Sequence, residues 1–452
     1  MTHLNYFLVL LILIGMFSCN NQKQQIRVGV FELDASPPIG SPVAYAPARK
    51  IVDSLSIRGI VILSDEDPIV LCAVDWLGIA NEGMQRWKES LAKAAGTSVD
   101  RVSVHAIHQH DGLRCDFTVE KILDKYNMGG INYDTTFLIG KIKEVAEAVK
   151  LAKATAEPVT HLGHGKAKVE KVASNRRILG EDGKVEIIRW SKSTDSAAIA
   201  APEGLIDPWL QTVSFWNEEK PLAVMTYYAV HPQSYYGQGD VTCEFVGIAR
   251  NNRQEKLGGL PHIHFNGAGG NVAAGKYNDG SKARRPVLAQ RMEIAMQQAW
   301  ENTEKKPLKT ADLQWKSVPV ELPIGKHLVE SDLTAILASD TATDFHKFYA
   351  AKHLAWLQRT QQEHKINISS LKLDNVWMLN LPGEIFVEYQ LAAQQMRPND
   401  HVVTAAYEEY GPGYIGTEIS YTQGGYETSE RASRVAPKSE KVIMTAIQEV
   451  LK

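Results

Sequence analysis

The sequence has little cysteine and almost no net charge. Its 452 residues include 4 cysteines, none in a Cys-x-x-Cys spacing, which excludes a cysteine-rich zinc site and gives no disulfide framework. Cys72 falls in an apolar run, whereas a disulfide between Cys115 and Cys243 stays open. The formal net charge of −3 provides no strongly basic face, so we expect no nucleic-acid partner.

Several sequence signals are also missing. We find no internal repeat and no low-complexity linker, which favours one catalytic domain over residues 26–452. No Gly-x-Ser-x-Gly sequence is present, which argues against a serine nucleophile held in a strand-to-helix turn. The glycine-rich residues 267–271 lack the Lys-Ser/Thr ending of a phosphate-binding loop.

One long apolar run stands at the N-terminus. Residues 6–17 are almost wholly apolar and are followed by Ser18, Cys19 and a polar stretch. The run has the length of a signal-peptide core and is short for a membrane span. Residues 1–19 resemble a bacterial lipoprotein signal, which implies lipidation of Cys19 and an exported, membrane-anchored protein facing the periplasm or the cell surface. An ordinary cleaved signal peptide is the alternative.

The rest of the chain alternates between strand and helix patterns. Helices are predicted at residues 81–95, 137–155, 285–299, 333–364 (interrupted near 339–343) and 438–451. Strands are predicted near residues 26–31, 59–64, 68–74, 102–107, 185–190, 210–215, 222–230, 263–266 and 376–381. This order predicts a mixed α/β fold, with a central β-sheet flanked by helices and the active site at the strand ends.

The most informative stretch is residues 102–112, in which an apolar strand pattern runs into His108, His110 and Asp111. Side chains alternate along a strand, so His108 and His110 are predicted to share one face, with His105 on the other. Imidazole is a common metal ligand and titrates near neutral pH, so the pair indicates a metal site or proton transfer. Hydrogen bonding at a sheet edge is the alternative.

Four segments share this pattern of an apolar strand that ends in a polar or glycine-rich turn: residues 104–110, 224–231, 263–271 and 377–384. Ligands gather where strands end in layered α/β folds, so we expect the four ends to converge. His108, His231 and Glu384 would then supply two imidazoles and a carboxylate, a set typical of catalytic zinc with an open position for water. A second His-x-His pair, His262 and His264, is the competing interpretation.

Eight short segments carry a family resemblance. They are residues 34–40 (DASPPIG), 73–78 (AVDWLG), 108–112 (HQHDG), 174–176 (SNR), 228–232 (YAVHP), 266–272 (NGAGGNV), 381–384 (LPGE) and 424–427 (GGYE). In this order and spacing they resemble the neutral/alkaline, non-lysosomal ceramidase family over most of the mature sequence.

The resemblance implies a zinc ion held by His108, His231, Glu384 and a C-terminal tyrosine, Tyr426. It also implies hydrolysis of the N-acyl amide of a lipid such as ceramide, which releases a fatty acid from a sphingoid base. Zinc suits this reaction, since it lowers the pKa of bound water to about 7 and polarises the acyl carbonyl.

Two further side chains are candidates for catalysis, and two positions depart from the family. His110 would be free for proton transfer or for holding the oxyanion, and Arg176, with Arg177 as its competitor, is the candidate for another anion-stabilising donor. Ala273 stands where the family commonly carries a serine. Asp111 also replaces a serine and adds negative charge near the metal.

Three functions therefore stand beside one another. The first is a zinc amidase acting on a ceramide-like lipid, and the second is a zinc hydrolase of another amide or of an ester. The third is a surface lipoprotein that binds a ligand without turnover. The complete ligand set favours an enzyme. Little chain follows Tyr426, so the family's C-terminal immunoglobulin-like domain is expected to be absent.

Overall fold

A computed structural model describes residues 25–452, so the predicted signal segment and Cys19 lie outside the described residues. The mixed α/β class is confirmed, and the strands are divided among three larger sheets where the sequence suggested one central sheet. The helices of the described part are α1 (Glu82–Ala95), α2 (Phe117–Asp124), α3 (Thr135–Ala154), α4 (Ser196–Ala200), α5 (Glu244–Lys256), α6 (Arg284–Glu301), α7 (Glu330–Ala338), α8 (Asp344–Gln361), α9 (Val387–Met396), α10 (Glu418–Gln423) and α11 (Ser439–Val450).

The first sheet has the spatial order β4-β3-β2-β1-β5. Its strands are β1 (Arg27–Asp34), β2 (Ser56–Leu63), β3 (Ile69–Val74), β4 (Val102–Ala106) and β5 (Glu157–Pro158). All neighbours are antiparallel except β3 and β4, which are parallel because α1 forms the crossover between them. Every residue of β2, β3 and β4 is buried, so these strands are covered on both faces.

The second and third sheets repeat this plan of antiparallel strands ending in one parallel pair. The second has the order β9-β8-β7-β6-β10, with β6 (His161–Lys168), β7 (Trp209–Asn217), β8 (Lys220–Tyr228), β9 (His262–Asn266) and β10 (Glu304–Pro307). The third runs in sequence order through β11 (Leu313–Val320), β12 (Ile366–Leu373), β13 (Val376–Asn380) and β14 (His401–Ala405). The parallel pairs are β8 with β9, joined through α5, and β13 with β14, joined through α9.

Short paired segments hold the loops at the strand ends. Two of these pairs lie beside the functional residues described below, one joining Val272–Ala273 to Ser174–Asn175 and the other joining Glu384–Ile385 to Tyr414–Ile415. The remaining short strands are Lys50–Ile51, Gly78–Ile79, Arg114–Cys115, Arg177–Leu179, Val185–Ile188 and Asp240–Val241, and the 3-10 turns are Val99–Arg101 and Thr310–Asp312.

Two apolar cores hold the sheets together. In one, helices α1 and α3 pack on the first sheet through side chains such as Trp87 and Leu138. In the other, inward-facing residues of all three sheets, among them Leu71, Met225 and Met378, pack together with α5 and α6. Burial of all three parallel pairs brings their carboxyl ends into one region of the molecule.

The sequence patterns located most of the long elements. Helix α1 ends where expected, with Gly96 in the left-handed conformation at φ 69°. The interruption near residues 339–343 is confirmed, because α7 ends at Ala338 and the Thr343 side chain caps the start of α8 by accepting from His346 N–H. The labelled elements that the patterns did not indicate are α2, α4, α5, α9, α10, β5, β6, β10, β11, β12 and β14.

Two open points on the sequence are answered in the described residues. Cys72, Cys115 and Cys243 are all free and buried, so Cys115 and Cys243 form no disulfide here. Between residues 25 and 452, the longest apolar stretches within helices fall short of what a bilayer crossing requires.

Candidate metal centre

His108 is held in a strained conformation just beyond β4. The strand ends at Ala106, and His108 has a φ of 69°, so the prediction that His108 and His110 lie on one face of a strand is wrong. Its backbone N–H donates to the Trp76 carbonyl at 3.0 Å, and its ring stacks on Tyr407 with centroids 4.6 Å apart. A left-handed non-glycine residue costs roughly 1–3 kcal/mol and persists where its surroundings fix it, as they do here.

Three side chains from different sheets meet at one point. His108 follows β4 of the first sheet, His231 follows β8 of the second, and Glu384 follows β13 of the third. The two Nε2 atoms are 3.2 Å apart, and Glu384 Oε2 is 3.2 Å from each of them. All three side chains are buried. The structure therefore brings together the three ligands that the sequence proposed.

The hydrogen bonds on the far side of each imidazole fix which nitrogen faces this point. His108 Nδ1 lies 2.7 Å from the Leu77 carbonyl, and His231 Nδ1 lies 2.7 Å from the Gly269 carbonyl. A carbonyl only accepts, so each Nδ1 carries the proton and each neutral ring presents an unprotonated Nε2. In these neutral forms, two nitrogen lone pairs and a carboxylate oxygen face one another, each 3.2 Å from the next.

Such an arrangement fits a bound cation. Facing lone pairs repel, and a positive ion among them turns the repulsion into three favourable contacts. Metal bonds of about 2.0–2.2 Å in a tetrahedral arrangement place two ligand atoms about 3.3–3.6 Å apart, close to the separations observed. Within the described chain, His108, His110 and His231 form a buried cluster of side chains whose ligand atoms all lie within 4.8 Å of one another.

The electrostatics favour an ionised Glu384 and neutral forms of His231 and His110. Burial raises the pKa of Glu384, but His108 and His231 outweigh it and hold that pKa well below its usual value. Burial lowers the pKa of His231, and burial together with His108 and His231 lowers the pKa of His110 well below its ordinary value. An ionised carboxylate and neutral imidazoles are the forms that bind metal ions.

His110 is oriented differently from the other two histidines. Its Nε2 lies 3.3 Å from His108 Nε2, while its Nδ1 contacts the Tyr45 hydroxyl at 2.8 Å and the Gln233 side-chain nitrogen at 2.9 Å. The Gln233 amide donates, so Nδ1 accepts and the proton of neutral His110 lies on Nε2. His110 therefore presents an N–H, not a lone pair, beside the three ligands.

Two tyrosine hydroxyls reach the cluster, and Tyr414 is the tyrosine that lies beside His231. The Tyr414 hydroxyl lies 3.2 Å from His231 Nε2, and the two rings are stacked with centroids 6.0 Å apart. Tyr426, the ligand implied by the resemblance, packs behind it, with its ring centroid 5.6 Å from that of Tyr414 and 5.2 Å from that of Trp190. The Tyr410 hydroxyl hydrogen-bonds to Glu384.

The sequence contained a signal for these tyrosines that was missed. Residues 405–415 (AAYEEYGPGYI) follow β14 in the pattern of the four segments already singled out, with an apolar strand ending in a polar, glycine-rich turn. Because β14 pairs in parallel with β13, both strands end on the same side of the third sheet. Glu384 and Tyr414 are brought into register by a short parallel pairing.

Arg176, and not Arg177, faces the cluster. Arg176 NH1 donates to the Tyr414 hydroxyl at 3.0 Å, and its Nε lies 3.0 Å from a Glu427 oxygen. Arg177 turns away toward the other Glu427 oxygen at 3.3 Å and the Ser420 carbonyl at 3.0 Å. Arg176 therefore reaches the predicted ligands through Tyr414.

The glycine-rich turn after β9 allows the second and third sheets to approach closely. A Cβ on Gly270 would lie 2.3 Å from the Glu384 carbonyl oxygen, so no other residue fits without moving that backbone. Gly269 supplies the carbonyl that accepts from His231. The turn therefore positions two of the predicted ligands, which is consistent with its lack of a phosphate-loop ending.

The remaining candidates lie away from the cluster. The Asp111 carboxylate turns toward the Gly237 N–H at 2.8 Å and the Arg285 side chain at 3.8 Å, and burial raises its pKa to about 6. Ala273 is buried beside Ser174 in a short strand pair. His262 and His264 are buried within β9, where His264 contacts the Thr226 hydroxyl at 3.0 Å.

Aromatic side chains surround the approach to His110. The ring centroids of Tyr45 and Tyr236 lie 5.8 Å and 5.2 Å from that of His110, and 5.2 Å from each other. The ring of Trp190 lies beside Tyr426 on the Tyr414 side. Trp190, Tyr45 and Tyr236 are 46%, 51% and 36% exposed, which is unusual for such large rings. We call Tyr45, Trp190, Tyr236 and Tyr426 the aromatic rim.

Comparisons with known proteins identify the fold. No protein-family model matches the chain, and no curated protein matches it by sequence. Among solved structures, a neutral ceramidase from Pseudomonas aeruginosa matches with a TM-score of 0.69 and 15% identity, over 94% of this chain and 74% of that chain. A structure described as ceramidase complexed with C2 matches with a TM-score of 0.68 and 14% identity, over 94% and 75%. The chain thus has a ceramidase-like fold.

Proposed function

We propose that the protein is a zinc-dependent hydrolase that cleaves the N-acyl amide of a lipid such as ceramide. The observation that carries the proposal is the meeting of His108 Nε2, His231 Nε2 and Glu384 Oε2 within 3.2 Å of one another in the buried interior. Two imidazoles and a carboxylate are a ligand set of catalytic zinc. The Tyr414 hydroxyl, 3.2 Å from His231 Nε2, replaces Tyr426 as the proposed fourth ligand.

The proposed chemistry requires the metal ligands and one hydrogen-bond donor, His110. Bound zinc lowers the pKa of a coordinated water to about 7 and polarises an acyl carbonyl. His110 directs its Nε2–H beside the ligands, since Tyr45 and Gln233 occupy its Nδ1. That N–H is placed to donate to the oxygen that gains charge when an amide carbonyl is attacked. His110 could pass a proton to the departing amine only after it takes up the proton that the attacking water releases, because a neutral ring has no proton to spare.

Arg176 has a positioning role in this proposal. Its NH1 donates to the Tyr414 hydroxyl, which favours negative charge on that oxygen and fixes its direction. Glu427 lies 3.0 Å from Arg176 Nε and anchors the guanidinium from behind. Arg176 therefore acts on the metal site through Tyr414 and does not contact the reacting group.

Two features support a lipid amide as the substrate. The aromatic rim exposes apolar ring surface at the approach to His110, where it suits an acyl chain. The predicted lipid anchor at Cys19 would hold the domain at a membrane surface, where such lipids occur. Ala273 at the position of the family's serine leaves the metal as the source of the nucleophile in this proposal.

Metal content and hydrolysis test the proposal together. The purified protein should contain about one zinc per chain and hydrolyse N-acyl lipids, and His108→Ala and His231→Ala should lose both. His401→Ala is the matched control, because His401 stacks on His164 in a separate part of the molecule and should keep both properties. Full zinc content in His108→Ala and His231→Ala would contradict the site.

The same experiment separates the proposal from its alternatives. A zinc-loaded protein that cleaves esters or other amides and leaves N-acyl lipids intact would be a zinc hydrolase of a different substrate. A zinc-loaded protein that hydrolyses nothing on a broad amide and ester panel would be a binding protein with a metal site. A chelator-treated sample provides the control for each substrate.

A further inference from the structure

Three cations lie together behind the metal centre without an acidic partner. Arg114, Lys352 and Arg434 line a small cavity, together with Gly78, Asn81, Asp116 and Tyr410. Among residues 25–452, no carboxylate oxygen lies within 4 Å of any of these three charges. We call Arg114, Lys352 and Arg434 the cationic cluster.

The cations are held by rings and by one carbonyl. Arg114 lies between Tyr45 and Phe348, with its guanidinium carbon 5.4 Å and 5.1 Å from the two ring centroids. The Lys352 ammonium lies 5.6 Å from the Phe348 ring and 5.3 Å from the Tyr410 ring. Aromatic faces attract cations but carry no net charge, so they leave the positive charge unbalanced.

Arg434 provides the deepest of the three charges. It is 2% exposed, and its NH1 donates to the Gly411 carbonyl at 2.9 Å. Its Nε has no acceptor, and neither does the Nε of Arg114, although both atoms are buried in the described structure. A buried donor without an acceptor costs roughly 1–3 kcal/mol, so two in one cavity indicate a missing acceptor.

The nearest acids are already engaged. Asp116 accepts from the backbone N–H groups of Thr118 and Val119 through one oxygen and from Asn81 through the other. Glu384 is shared among His108, His231 and Tyr410. Burial lowers the pKa of Lys352 well below its ordinary value, and Arg434 and Arg114 lower it further. The two Nε–H groups without acceptors, beside cations whose nearest acids are already hydrogen-bonded elsewhere, are what an empty anion site would show.

The position of the cluster connects it to the reaction. Tyr45 contacts His110 with its hydroxyl and Arg114 with its ring, and Tyr410 contacts Glu384 with its hydroxyl and Lys352 with its ring. The cationic cluster is therefore one aromatic side chain away from the metal centre. The cavity has room for about one water-sized group, so one oxygen of a charged group fits it and an acyl chain does not.

We infer that the cationic cluster binds an oxyanion on the polar part of the substrate, such as a carboxylate, sulfonate or phosphate beside the scissile amide. This inference rests on the proposed function and narrows its substrate class from N-acyl lipids in general to N-acyl lipids with an anionic head. Arg and Lys side chains are the usual donors to such groups, and the two free Nε–H donors provide directed hydrogen bonds.

Binding of two matched probes tests the inference without depending on turnover. Octanesulfonyl-serine and octanesulfonyl-serinol have a sulfonamide in place of the amide, so neither is hydrolysed, and they differ only in a carboxylate against a hydroxymethyl group. Calorimetry on the purified protein should show about tenfold tighter binding of the acid, as at least one charge-assisted hydrogen bond would give. Equal affinity for the two probes would overturn the inference.

Two substitutions and one control test whether the preference for the acid over the alcohol comes from the cationic cluster. Lys352→Met and Arg114→Met should each bring the affinity for the acid toward that for the alcohol and leave the affinity for the alcohol within about twofold. Lys441→Met is the matched control, since Lys441 is exposed on α11, and it should keep the full preference. Retention of the preference in both cluster variants would overturn the assignment, and thermal unfolding of each variant verifies that it is folded.

Inorganic sulfate distinguishes a substrate group from a free ion. If sulfate competes with the acid and not with the alcohol, both occupy the cationic cluster, as inferred. If sulfate binds but the acid does not displace it, the cluster holds a free anion and the substrate inference is wrong. A protein that prefers the acid yet hydrolyses no N-acyl lipid would refute the proposed function and uphold the anion site, so the two failures remain separate.

Discussion

The identity of the proposed tyrosine ligand gives the sharpest test of the proposed metal centre. Tyr414→Phe removes a hydroxyl that lies 3.2 Å from His231 Nε2 and accepts from Arg176 at 3.0 Å. Loss of a residue that only orients a metal ligand typically weakens metal binding by about 10–100-fold, so loss of a ligand should cost at least about 1.4–2.7 kcal/mol. Arg176 NH1 is also left without its acceptor, which should lower the free energy of unfolding of the metal-free protein by about 1–3 kcal/mol.

Tyr426→Phe is the matched variant, because it removes the same atom from the tyrosine just behind. No hydrogen bond of the Tyr426 hydroxyl reaches His231 or Glu384, so we expect zinc affinity to change by less than about twofold. Competition with a chromophoric chelator measures both zinc dissociation constants, and urea unfolding measures the stability of the metal-free forms. A large loss of affinity in Tyr426→Phe with none in Tyr414→Phe would refute the reasoning and restore the ligand implied by the resemblance.

Three more predictions follow from described contacts. His110→Ala should keep its zinc and lose about 10²–10⁴-fold in kcat. A hydrolysis assay measures kcat, and elemental analysis of the same sample measures zinc; a loss of zinc as large as in His108→Ala would make His110 a ligand. Gly270→Ala should weaken zinc binding, because its Cβ would lie 2.3 Å from the Glu384 carbonyl oxygen; unchanged affinity would show that this turn yields freely. Asp75→Asn should lower the free energy of unfolding by about 3–5 kcal/mol, because it leaves Arg250 buried without its counter-charge. Burial raises the pKa of Asp75, but Arg250 outweighs burial and brings the pKa below 3.8. The stabilisation by the Asp75–Arg250 pair is therefore present above about pH 3.8 and is lost as the pH falls through the lower pKa of the folded state. Urea midpoints that depend on pH equally in the wild-type protein and in Asp75→Asn would contradict this prediction.

Sequence patterns predicted those elements whose buried face is apolar. Helix α1 places Trp87 and Leu91 on one face and ends at a left-handed glycine, so periodicity and capping agree. Helix α5 was not predicted, because its buried face carries Arg250 and Arg253. Arg250 is buried only because Asp75, 175 residues away in sequence, meets it at 2.7 Å. A pairing of that kind is invisible to a local window.

The strand β6 was missed for a related reason. Its sequence (HLGHGKAK) contains two glycines and two lysines, a composition that disfavours strands. A Cβ on Gly165 would lie 2.0 Å from the Ala299 carbonyl oxygen. The glycine therefore lets the backbone of the strand pack directly against α6, where a side chain would not fit. The packing against α6 stabilises this strand through tertiary contacts, which the β-propensity of single residues does not describe.

The candidate site was predictable in its ligand types and less so in its geometry. Strand ends that carry His108, His231 and Glu384 could be recognised because each follows an apolar run. The choice of Tyr414 over Tyr426 depends on how the loop after β14 pairs with Glu384–Ile385, and sequence spacing does not specify that pairing. The left-handed conformation of His108 likewise depends on its contacts with Trp76 and Leu77.

The assembly of one centre from three sheets makes metal affinity a measure of folding. His231 lies 123 residues after His108 and 153 residues before Glu384, so the ligands meet only when nearly the whole chain is in place. Such distant contacts form late and slowly during folding, because loop closure must precede them. An ion that binds only this final state stabilises it by about 4.1 kcal/mol when its concentration is 1,000 times its dissociation constant. With the proposed zinc as that ion, metal supply would then govern the survival of the protein against proteases as well as its activity.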